Sequence, residues 1–457
     1  MPSSPVPVSG NVMIAPARRV ASRILLRVAT KGAHSDELLR SREVDALSAA
    51  DRNLTTTIVL GTLRWQLSLD AQIRPFLTRP NAKLASEIAV ALRMGAYQLL
   101  HLERVPAHAV INDAVELVKQ GKERGAAGMV NAVLRKIAAQ PRWQAPGSLT
   151  SPEDMAVAWS HPEWLVERWV QRYGAEAAES ICSWDQEPAG VTLRLGPASE
   201  PSLSSLDLEP GAFLARARRF VRGDPRAAIQ SGLIRIQDEA SQLVAEIAAA
   251  AAPEAEHVMD TCAAPGGKTV ILAERLPASE IIAVDASLRR LEVMQRTLSP
   301  SLRQKIRFEP ADAAKLHLQP TRGLILCDVP CSGTGTLARN PEIRLRLEPA
   351  ELKRQQARQI AILRAALPGL APGGRLVYST CSLEPEENEA VVEQVLAGTC
   401  GLRVIPIGEL LDALLATGVL TPPGRELLCT ATDGAYLRTV PGVHPCDGFF
   451  AAVFERT

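Results

Sequence analysis

The stretch that decides the fold is His257-Val-Met-Asp-Thr-Cys-Ala-Ala-Pro-Gly-Gly-Lys-Thr269. Its first residues are apolar up to Asp260, which predicts a short buried strand that ends at that carboxylate. Pro265, Gly266 and Gly267 then predict a turn, and the apolar residues that follow begin a helix. A strand, a glycine turn and a helix make the first unit of a doubly wound α/β domain, in which ligands bind beyond the carboxyl ends of the strands.

The glycine turn matches neither of two common nucleotide-binding motifs. A Walker loop needs a glycine, four further residues and then Gly-Lys-Thr, and this chain has Cys262 where the first glycine would fall. The dinucleotide fingerprint G-x-G-x-x-G fails too, because only the adjacent pair Gly266-Gly267 is present. Taken alone, the turn is either an ordinary strand-to-helix connection or a ligand-binding loop, and other parts of the chain must decide.

Length and composition predict a soluble protein of several domains. At 457 residues, with 46% hydrophobic and 22% charged residues, the chain is too long for one core, and we expect two or three domains. The amino terminus lacks the order of a signal peptide and no apolar run could cross a bilayer, so we expect a cytoplasmic protein without a membrane partner. The eight cysteines show no zinc-binding spacing, and we expect no metal.

Charge is divided unevenly along the chain. Residues 1–150 contain 20 Lys and Arg against 11 Asp and Glu, a net charge of +9, whereas the remaining residues contain 31 against 39, a net charge of −8. A basic module joined to an acidic one predicts that the first binds a polyanion. A basic face that is merely solvated is the alternative on charge alone.

Residues 1–142 are predicted to be all-helical, because apolar residues recur there with helical spacing. Four segments resemble the NusB-like helical RNA-binding fold: Asp51-Arg52, Gly61-Thr-Leu-Arg64, Val105-Pro-Ala-His-Ala-Val-Ile-Asn112 and Val130-Asn-Ala-Val-Leu-Arg-Lys136. The resemblance implies an all-α NusB-like domain that binds RNA.

Residues 143–230 change character and are predicted to form a linker followed by a small α/β module. The densest arginine cluster of the chain lies here, around Phe220, and consists of Arg216, Arg218, Arg219, Arg222 and Arg226. Contact with RNA phosphates, with possible base stacking on the aromatic ring, is one interpretation of this cluster. A solvated strand or loop edge is the other.

In residues 231–457 strands alternate with helices, which predicts a mostly parallel sheet with helices on both faces. Successive predicted strands end in polar residues, at Asp285, Asp312, Asp328 and the segment 379–382. Asp285 lies a little under twenty residues beyond the glycines, where a carboxylate suits ribose hydroxyls. Asp312 could accept from an exocyclic amine. A single acid at a strand end is commonly a helix cap, but several on one edge predict a ligand site.

Three motifs resemble those of the RNA cytosine-C5 methyltransferases. They are Asp260-Thr-Cys-Ala-Ala-Pro-Gly-Gly-Lys-Thr269, Asp328-Val-Pro-Cys-Ser-Gly-Thr-Gly335 and Tyr378-Ser-Thr-Cys-Ser382. With the NusB-like region, the chain resembles the bacterial Fmu/Sun family, which methylates 16S ribosomal RNA. The resemblance implies a Rossmann-like class I methyltransferase domain over residues 231–457 and, as partner, 16S ribosomal RNA or a small-subunit assembly intermediate. We expect a monomer.

The same resemblance implies that S-adenosylmethionine is the cofactor. The residues implied to bind it are Cys262, Ala263, Ala264, Pro265, Gly266, Gly267, Lys268, Asp285, Asp312 and Asp328. The alternative for the whole chain is a non-catalytic RNA-binding factor, for ribosome assembly or antitermination, with a vestigial methyltransferase domain. The presence of both thiols and of every acid that would face the cofactor argues against this alternative.

Two cysteines qualify as the nucleophile that such chemistry needs, Cys331 and Cys381. Carbon 5 of cytosine is a poor nucleophile until a thiolate adds to carbon 6, and cysteine is the side chain suited to that addition. The residues alone do not choose: DNA cytosine methyltransferases use a Pro-Cys thiol, which favours Cys331. The RNA family resemblance implies Cys381, with Cys331 assisting product release and Asp328 stabilising the adduct by hydrogen bonding.

One feature opposes a thiolate at Cys381. Three acidic residues, Glu384, Glu386 and Glu387, follow it closely, and their negative charge disfavours ionisation of the thiol. We expect them in the first turn of a helix opened by Pro385, where they complement the helix dipole.

Overall fold

The computed structural model describes residues 14–144, 146–147, 149, 151–197 and 203–457. The chain divides into two compact units. The helical unit takes the chain up to Glu187 together with Ala338–Leu345, and the sheet unit comprises Pro188–Leu337 and Arg346–Thr457. This division differs from the three parts expected from the sequence, whose boundaries stay a prediction.

The helical unit confirms the all-α prediction for the amino-terminal region. Its helices are α1 Pro16–Lys31, α2 Ser35–Leu39, α3 Arg42–Asp45, α4 Ala49–Arg64, α5 Gln66–Ile73, α6 Ser86–His101, α7 Ala107–Gln120, α8 Ala127–Ala138, α9 Pro152–Ala158, α10 Glu163–Tyr173 and α11 Ala175–Gln186. A buried ion pair joins α1 to α7, because Arg18 Nη1 lies 2.9 Å from Asp113 Oδ2, while Arg18 Nε donates to Gln98 Oε1 on α6 at 2.7 Å. Burying this charge is tolerated because it is paired.

The segment Ala338–Leu345 is built into the helical unit although it is distant in sequence. The buried Glu342 carboxylate accepts from the backbone N–H and the hydroxyl of Ser35, both at 2.8 Å. Arg64 Nη2 donates to the carbonyl of Ala338 at 2.7 Å, and the buried Arg344 donates to the carbonyl of Asp185 at 3.3 Å. The helical unit is therefore assembled from two separate stretches of chain.

A small antiparallel sheet opens the sheet unit. Its strands are β1 Thr192–Leu195, β2 Asp207–Pro210, β3 Ala217–Arg222 and β4 Ile234–Ile236, in the order β2-β3-β1-β4, and α12 spans Arg226–Gln230. Leu193, Leu195, Leu203 and Ile234 form its core.

The structure pairs several of the clustered arginines with acids. Arg219 forms an ion pair with Glu209 on the neighbouring strand, and Arg222 Nη2 lies 3.7 Å from Asp207 Oδ2. Arg226 pairs with Asp224 at 2.5 Å. These pairs reduce the positive charge offered by the cluster, which favours the solvated-edge interpretation over phosphate contact.

The main sheet of the sheet unit has nine strands in the order β11-β12-β13-β9-β8-β5-β6-β7, with β10 paired to β13. They are β5 His257–Asp260, β6 Glu280–Asp285, β7 Ile306–Pro310, β8 Arg322–Asp328, β9 Leu370–Thr380, β10 Leu402–Ile405, β11 Thr432–Asp433, β12 Tyr436–Thr439 and β13 Phe449–Arg456. The five strands β5 to β9 are parallel to one another. On the other side of β9, β13 runs antiparallel to it.

Helices cover both faces of this sheet. They are α13 Glu239–Ala251, α14 Gly267–Arg275, α15 Leu288–Thr297, α16 Pro300–Lys305, α18 Pro349–Ala366, α19 Glu389–Ala397, α20 Ile407–Ala416 and α21 Pro422–Leu427. The short helix α17, Ile343–Arg346, belongs mostly to the helical unit. Neighbouring residues of a strand point to opposite faces, so Val258 and Leu324 belong to one core and Met259 and Ile325 to the other. The predicted doubly wound α/β fold is confirmed.

The strand order reverses beside β5, and this reversal fixes where a ligand can bind. From β5 the chain proceeds outward through β6 and β7, and it then returns to place β8 on the other side of β5. Connections therefore leave the carboxyl ends of β5 and β8 in opposite directions and open a crevice between them.

Within the described residues, no helix combines the length and apolar character needed to span a membrane. The same part of the chain holds no group of three or more His, Cys, Asp or Glu side chains arranged to bind a metal ion.

Candidate functional site

The loop after β5, which we call the glycine loop (residues 261–268), is anchored by Asp260. This buried carboxylate accepts from Thr269 Oγ1 at 2.7 Å and from the backbone N–H of Cys262 at 3.3 Å. Burial raises the pKa of Asp260 to about 7, and the hydrogen bond from Thr269 opposes this rise. Sequence reasoning treated Asp260 as the end of a strand and missed its role as the anchor of the loop.

Gly266 gives the glycine loop its shape. Its φ of +105° lies in the left-handed region, and a Cβ at this position would lie 2.8 Å from Met294 Cγ. The peptide bond before it in the loop, between Ala264 and Pro265, is cis. Helix α14 begins directly after Gly266, so its first N–H groups lie at the crevice edge, where backbone donors suit an anionic or polar ligand.

Asp285, at the end of β6, is tied to the glycine loop. Its buried carboxylate accepts from the backbone N–H of Ser287 at 2.9 Å and from that of Ala264 at 3.3 Å. Arg290 Nη1 lies 3.2 Å from the same carboxylate, and the guanidinium also donates to the carbonyl of Ala264. Sequence reasoning identified Asp285 but missed Arg290, which reaches back from the first turn of α15.

Asp312 follows β7 and is exposed. Its carboxylate accepts from the backbone N–H of Ala314 at 3.1 Å and so caps the 3₁₀ turn Ala313–Lys315. The side chain thus has the capping role that is common for an acid at a strand end. A second role toward a cofactor stays a prediction.

Asp328, at the end of β8, lies between the glycine loop and β9. One carboxylate oxygen accepts from Lys268 Nζ at 2.7 Å, and the other accepts from Ser379 Oγ at 2.8 Å. The Lys268 ammonium also lies 4.9 Å from the centroid of the Phe449 ring. Asp328 is therefore the carboxylate that connects the glycine loop with β9, the strand that leads to Cys381.

The structure brings Cys331 and Cys381 together. Their sulfur atoms are 3.3 Å apart, and both side chains are half-buried. The loops after β8 and β9 are joined by main-chain bonds, from Gly335 N–H to the carbonyl of Cys381 at 2.9 Å and from Val329 N–H to that of Ser379 at 3.0 Å. We call the segments 329–337 and 381–388 the thiol loops.

Two thiols of the site have raised pKa values. The hydrogen bond with the Cys381 thiol, followed by burial, raises the pKa of Cys331 well above the ordinary thiol value. Burial also raises the pKa of the Cys262 thiol in the glycine loop. Both groups therefore stay protonated at neutral pH.

The acidic residues after Cys381 are placed differently from the sequence expectation. Pro385 opens only a 3₁₀ turn, Pro385–Glu387, and α19 begins later, at Glu389. Glu387 is fully buried, and its carboxylate accepts from the backbone N–H of Ser332 at 2.8 Å and from Ser382 Oγ at 2.6 Å. The expected first turn opened by Pro385 is present with Glu386 and Glu387 in it, but it is a 3₁₀ turn of three residues, and donors of the thiol loops hold Glu387 inside.

Three protein-family models match different parts of the chain. The model of 16S rRNA methyltransferase RsmB/F matches residues 248–455, and that of the NusB family matches residues 15–139. A ferredoxin-like domain model of the RsmF/B-like methyltransferases matches residues 161–198.

Related proteins match over most of the chain. The probable ribosomal RNA small subunit methyltransferase B of Bacillus subtilis is 34% identical over 82% of this chain and 87% of that protein. The ribosomal RNA small subunit methyltransferase B of Pseudomonas syringae is 32% identical over 92% of this chain and 95% of that protein.

Solved structures show the same fold. The crystal structure of PH0851 superposes with a TM-score of 0.78 at 21% identity and covers 97% of this chain and 99% of that one. A methyltransferase homolog protein from Pyrococcus horikoshii superposes with a TM-score of 0.53 at 25% identity, over 68% of this chain and 100% of that one.

Proposed function

Because this chain belongs to the ribosomal RNA small subunit methyltransferase B family, we propose that it methylates carbon 5 of one cytosine in 16S ribosomal RNA through a covalent bond to Cys381. Methylation of ribosomal RNA with S-adenosylmethionine as donor is the family activity; the base, the carbon atom and the adduct are the proposal. Its main support is the pair of thiols, Cys331 and Cys381, with sulfur atoms 3.3 Å apart.

The residues of the crevice fit S-adenosylmethionine. Gly266 lets main chain approach a ligand closely, and the buried Asp285 carboxylate suits the two ribose hydroxyls. The segment Cys262–Lys268 would hold the cofactor together with Asp285, Asp312 and Asp328. When bound, S-adenosylmethionine supplies a methyl group attached to a positively charged sulfur.

Cys381 performs the addition in this proposal. Its thiolate bonds to carbon 6 of cytosine, and the electrons of the C5–C6 double bond make carbon 5 nucleophilic. Carbon 5 then gains the methyl group while it still carries its hydrogen; the bond between the methyl group and the donor sulfur would break, and its electron pair would neutralise that sulfur. A base takes that proton, the electrons of the C–H bond restore the C5–C6 double bond, and the bond to sulfur breaks to return the thiolate.

Asp328 and Cys331 support the adduct in different ways. Asp328 accepts a hydrogen bond at the N3 and amino edge of the ring and stabilises the adduct. The raised pKa of Cys331 disfavours its thiolate, which is the form that could itself add to carbon 6. It assists release of the methylated product.

The target base must be accessible. Carbon 6 is covered within a stacked helix, so the cytosine is unpaired or flipped out. The basic amino-terminal region, with a net charge of +9 over residues 1–150, supports binding of the RNA through its phosphates. We propose that the protein acts as a cytoplasmic monomer on 16S RNA or on a small-subunit assembly intermediate.

A labelling experiment separates this enzyme from a non-catalytic RNA-binding factor. The protein is incubated with S-adenosylmethionine carrying a radioactive methyl group and with unmodified 16S RNA, and nucleosides are then separated. We expect the label in 5-methylcytidine. RNA binding without label in cytosine would support the non-catalytic alternative.

Two cysteine variants test the assignment of the thiols. We expect Cys381→Ala to abolish turnover, whereas Cys331→Ala should accumulate a protein–RNA adduct that survives denaturing electrophoresis. Cys400→Ala, at an exposed thiol, is the matched control and should retain activity. Adduct accumulation in Cys381→Ala and loss of the adduct in Cys331→Ala would reverse the assignment.

A further inference from the structure

The carboxylate of Glu387 bonds to both thiol loops. One oxygen accepts from the backbone N–H of Ser332 at 2.8 Å and from Gln359 Nε2 at 3.0 Å. The other accepts from the hydroxyl of Ser382 at 2.6 Å and from that of Ser332. Ser332 follows Cys331 and Ser382 follows Cys381, so one carboxylate holds the residue next to each thiol.

The residues that precede the two cysteines are bonded by Gln359 and Asn388, a hydrogen-bond partner and the sequence neighbour of Glu387. Gln359 Nε2 also donates to the carbonyl of Pro330 at 3.0 Å. The neighbour of Glu387, Asn388, accepts from Thr380 Oγ1 at 2.6 Å and donates to the carbonyl of Ser382 at 2.9 Å. Each cysteine is thus flanked on both sides by groups bonded to this cluster.

Burial decides what kind of role Glu387 can have. The residue is 0% exposed and four protein donors surround its oxygens, so it does not reach a substrate. Burial also raises its pKa, while the bonds from Ser332 and Ser382 favour the charged form. A carboxylate enclosed in this way acts on the reaction only through the groups that it holds.

We propose that Glu387 is a positioning residue that fixes the separation of the Cys331 and Cys381 thiols by bonding the residue after each. The inference rests on the proposed function in one respect, that the two thiols act in the reaction. Misplacing reacting groups by about 1 Å can lower a rate by about 100-fold. Loss of the carboxylate should therefore lower kcat and leave KM for RNA and S-adenosylmethionine unchanged.

Two substitutions of Glu387 are expected to lower kcat to different extents. Glu387→Ala removes every acceptor, and we expect kcat to fall about 100-fold. Glu387→Gln keeps one oxygen for the Ser332 N–H, and we expect a fall of about tenfold at most. Glu393→Gln is the matched control, because it removes the same charge from an exposed position on α19 and should leave kcat unchanged.

Capture of a trivalent arsenical, phenylarsine oxide, measures the thiol pair without RNA or cofactor. The reagent binds tightly only where two thiols lie close together, so wild type should bind it and Cys331→Ala should not. We expect Glu387→Ala to weaken this binding about tenfold or more, with thermal unfolding recorded in parallel. Glu387→Gln provides the answer if the alanine variant does not fold.

The outcomes separate this inference from the proposed function. Arsenical binding and kcat within twofold of wild type in the Glu387 variants would overturn the positioning role. Weakened arsenical binding together with full turnover by Cys381→Ala would sink the proposed thiol chemistry and leave the positioning role standing. A fall in kcat with an equal rise in KM would show that Glu387 serves binding instead.

Discussion

The glycine loop and the thiol loops both rest on a buried carboxylate, but they are held in different ways. Asp260 has two donors, from Thr269 and Cys262, whereas Glu387 has four, from three residues. The glycine loop presents main-chain groups, whose directions follow once its turn is set. The thiol loops present two side chains that must align with each other. The two thiols are thus held by more supporting bonds than the turn, as expected for side chains whose separation must be set accurately.

The two regions meet at Asp328, which accepts from Lys268 in the glycine loop and from Ser379 at the end of β9, just before the second thiol loop. For Asp328→Asn we expect kcat to fall between about 100-fold and 1,000-fold, because the amide offers a donor where both neighbours already donate. Single-turnover methyl transfer to RNA measures the change. Glu280→Gln is the control, because Glu280 is exposed and begins β6, at the edge of the sheet away from the candidate site. A loss below threefold would remove Asp328 from the chemistry.

The anchor of the glycine loop should give a pH signature. Burial raises the pKa of Asp260 from 3.8 to about 7, so between these values the folded protein binds a proton that the unfolded chain has lost. Its contribution to the free energy of unfolding is complete at low pH and falls as the pH rises to about 7, by about 1.4 kcal/mol per pH unit at most. Above that pH it stays constant.

The variant Asp260→Asn isolates this titration, since all other groups are shared. Urea unfolding of both proteins at pH 5, 6, 7 and 8 gives the difference in free energy at each pH. We expect wild type to lose stability relative to the variant from pH 5 to pH 7 and then no further. A difference that is the same at all four values would show that Asp260 does not titrate in this range.

The turn of the glycine loop should be sensitive to one added carbon. In Gly266→Ala, the new Cβ would lie 2.8 Å from Met294 Cγ on a backbone with φ of +105°. We expect S-adenosylmethionine affinity to fall about tenfold by calorimetry, with arsenical binding by the thiol pair unchanged. Gly434→Ala also has a positive φ, of +62°, but nothing lies near its new Cβ, and it serves as the control. Equal losses in both variants would assign the effect to backbone strain alone.

The smallest effect is expected at Asp312. The amide oxygen of Asp312→Asn can still cap the 3₁₀ turn by accepting from Ala314, so we expect S-adenosylmethionine affinity within about threefold of wild type. Equilibrium binding of the cofactor measures it. A tenfold loss would instead give Asp312 a charge-dependent contact with the ligand.

Features carried by adjacent residues could be predicted from the sequence. The strand ends at Asp285, Asp328 and Thr380 follow from apolar runs that stop at polar residues, and the turn at Gly266 follows from its neighbours. The sheet then brings these ends to one edge, because parallel strands share a direction. The location of the candidate site and both of its thiols could therefore be predicted from the sequence.

Features that join distant residues could not be predicted. Glu387 bonds to Ser332 across 55 positions, and nothing near either residue identifies the other. The cluster of arginines on β3 could be recognised in the sequence, but the strand register that sets Glu209 opposite Arg219 could not be predicted from it. An acid three residues into a predicted helix is ordinarily solvated. The sequence therefore did not predict that Glu387 is buried.

The segment Ala338–Leu345 has a consequence for how this protein can be dissected. A shortened protein that begins after Glu187 would keep the charges of Glu342 and Arg344 but lose Ser35 and the other groups that neutralise or bond them. No single cut frees an intact catalytic half. A chimera that exchanges the helical unit between relatives must therefore exchange both of its stretches, the long amino-terminal one and Ala338–Leu345.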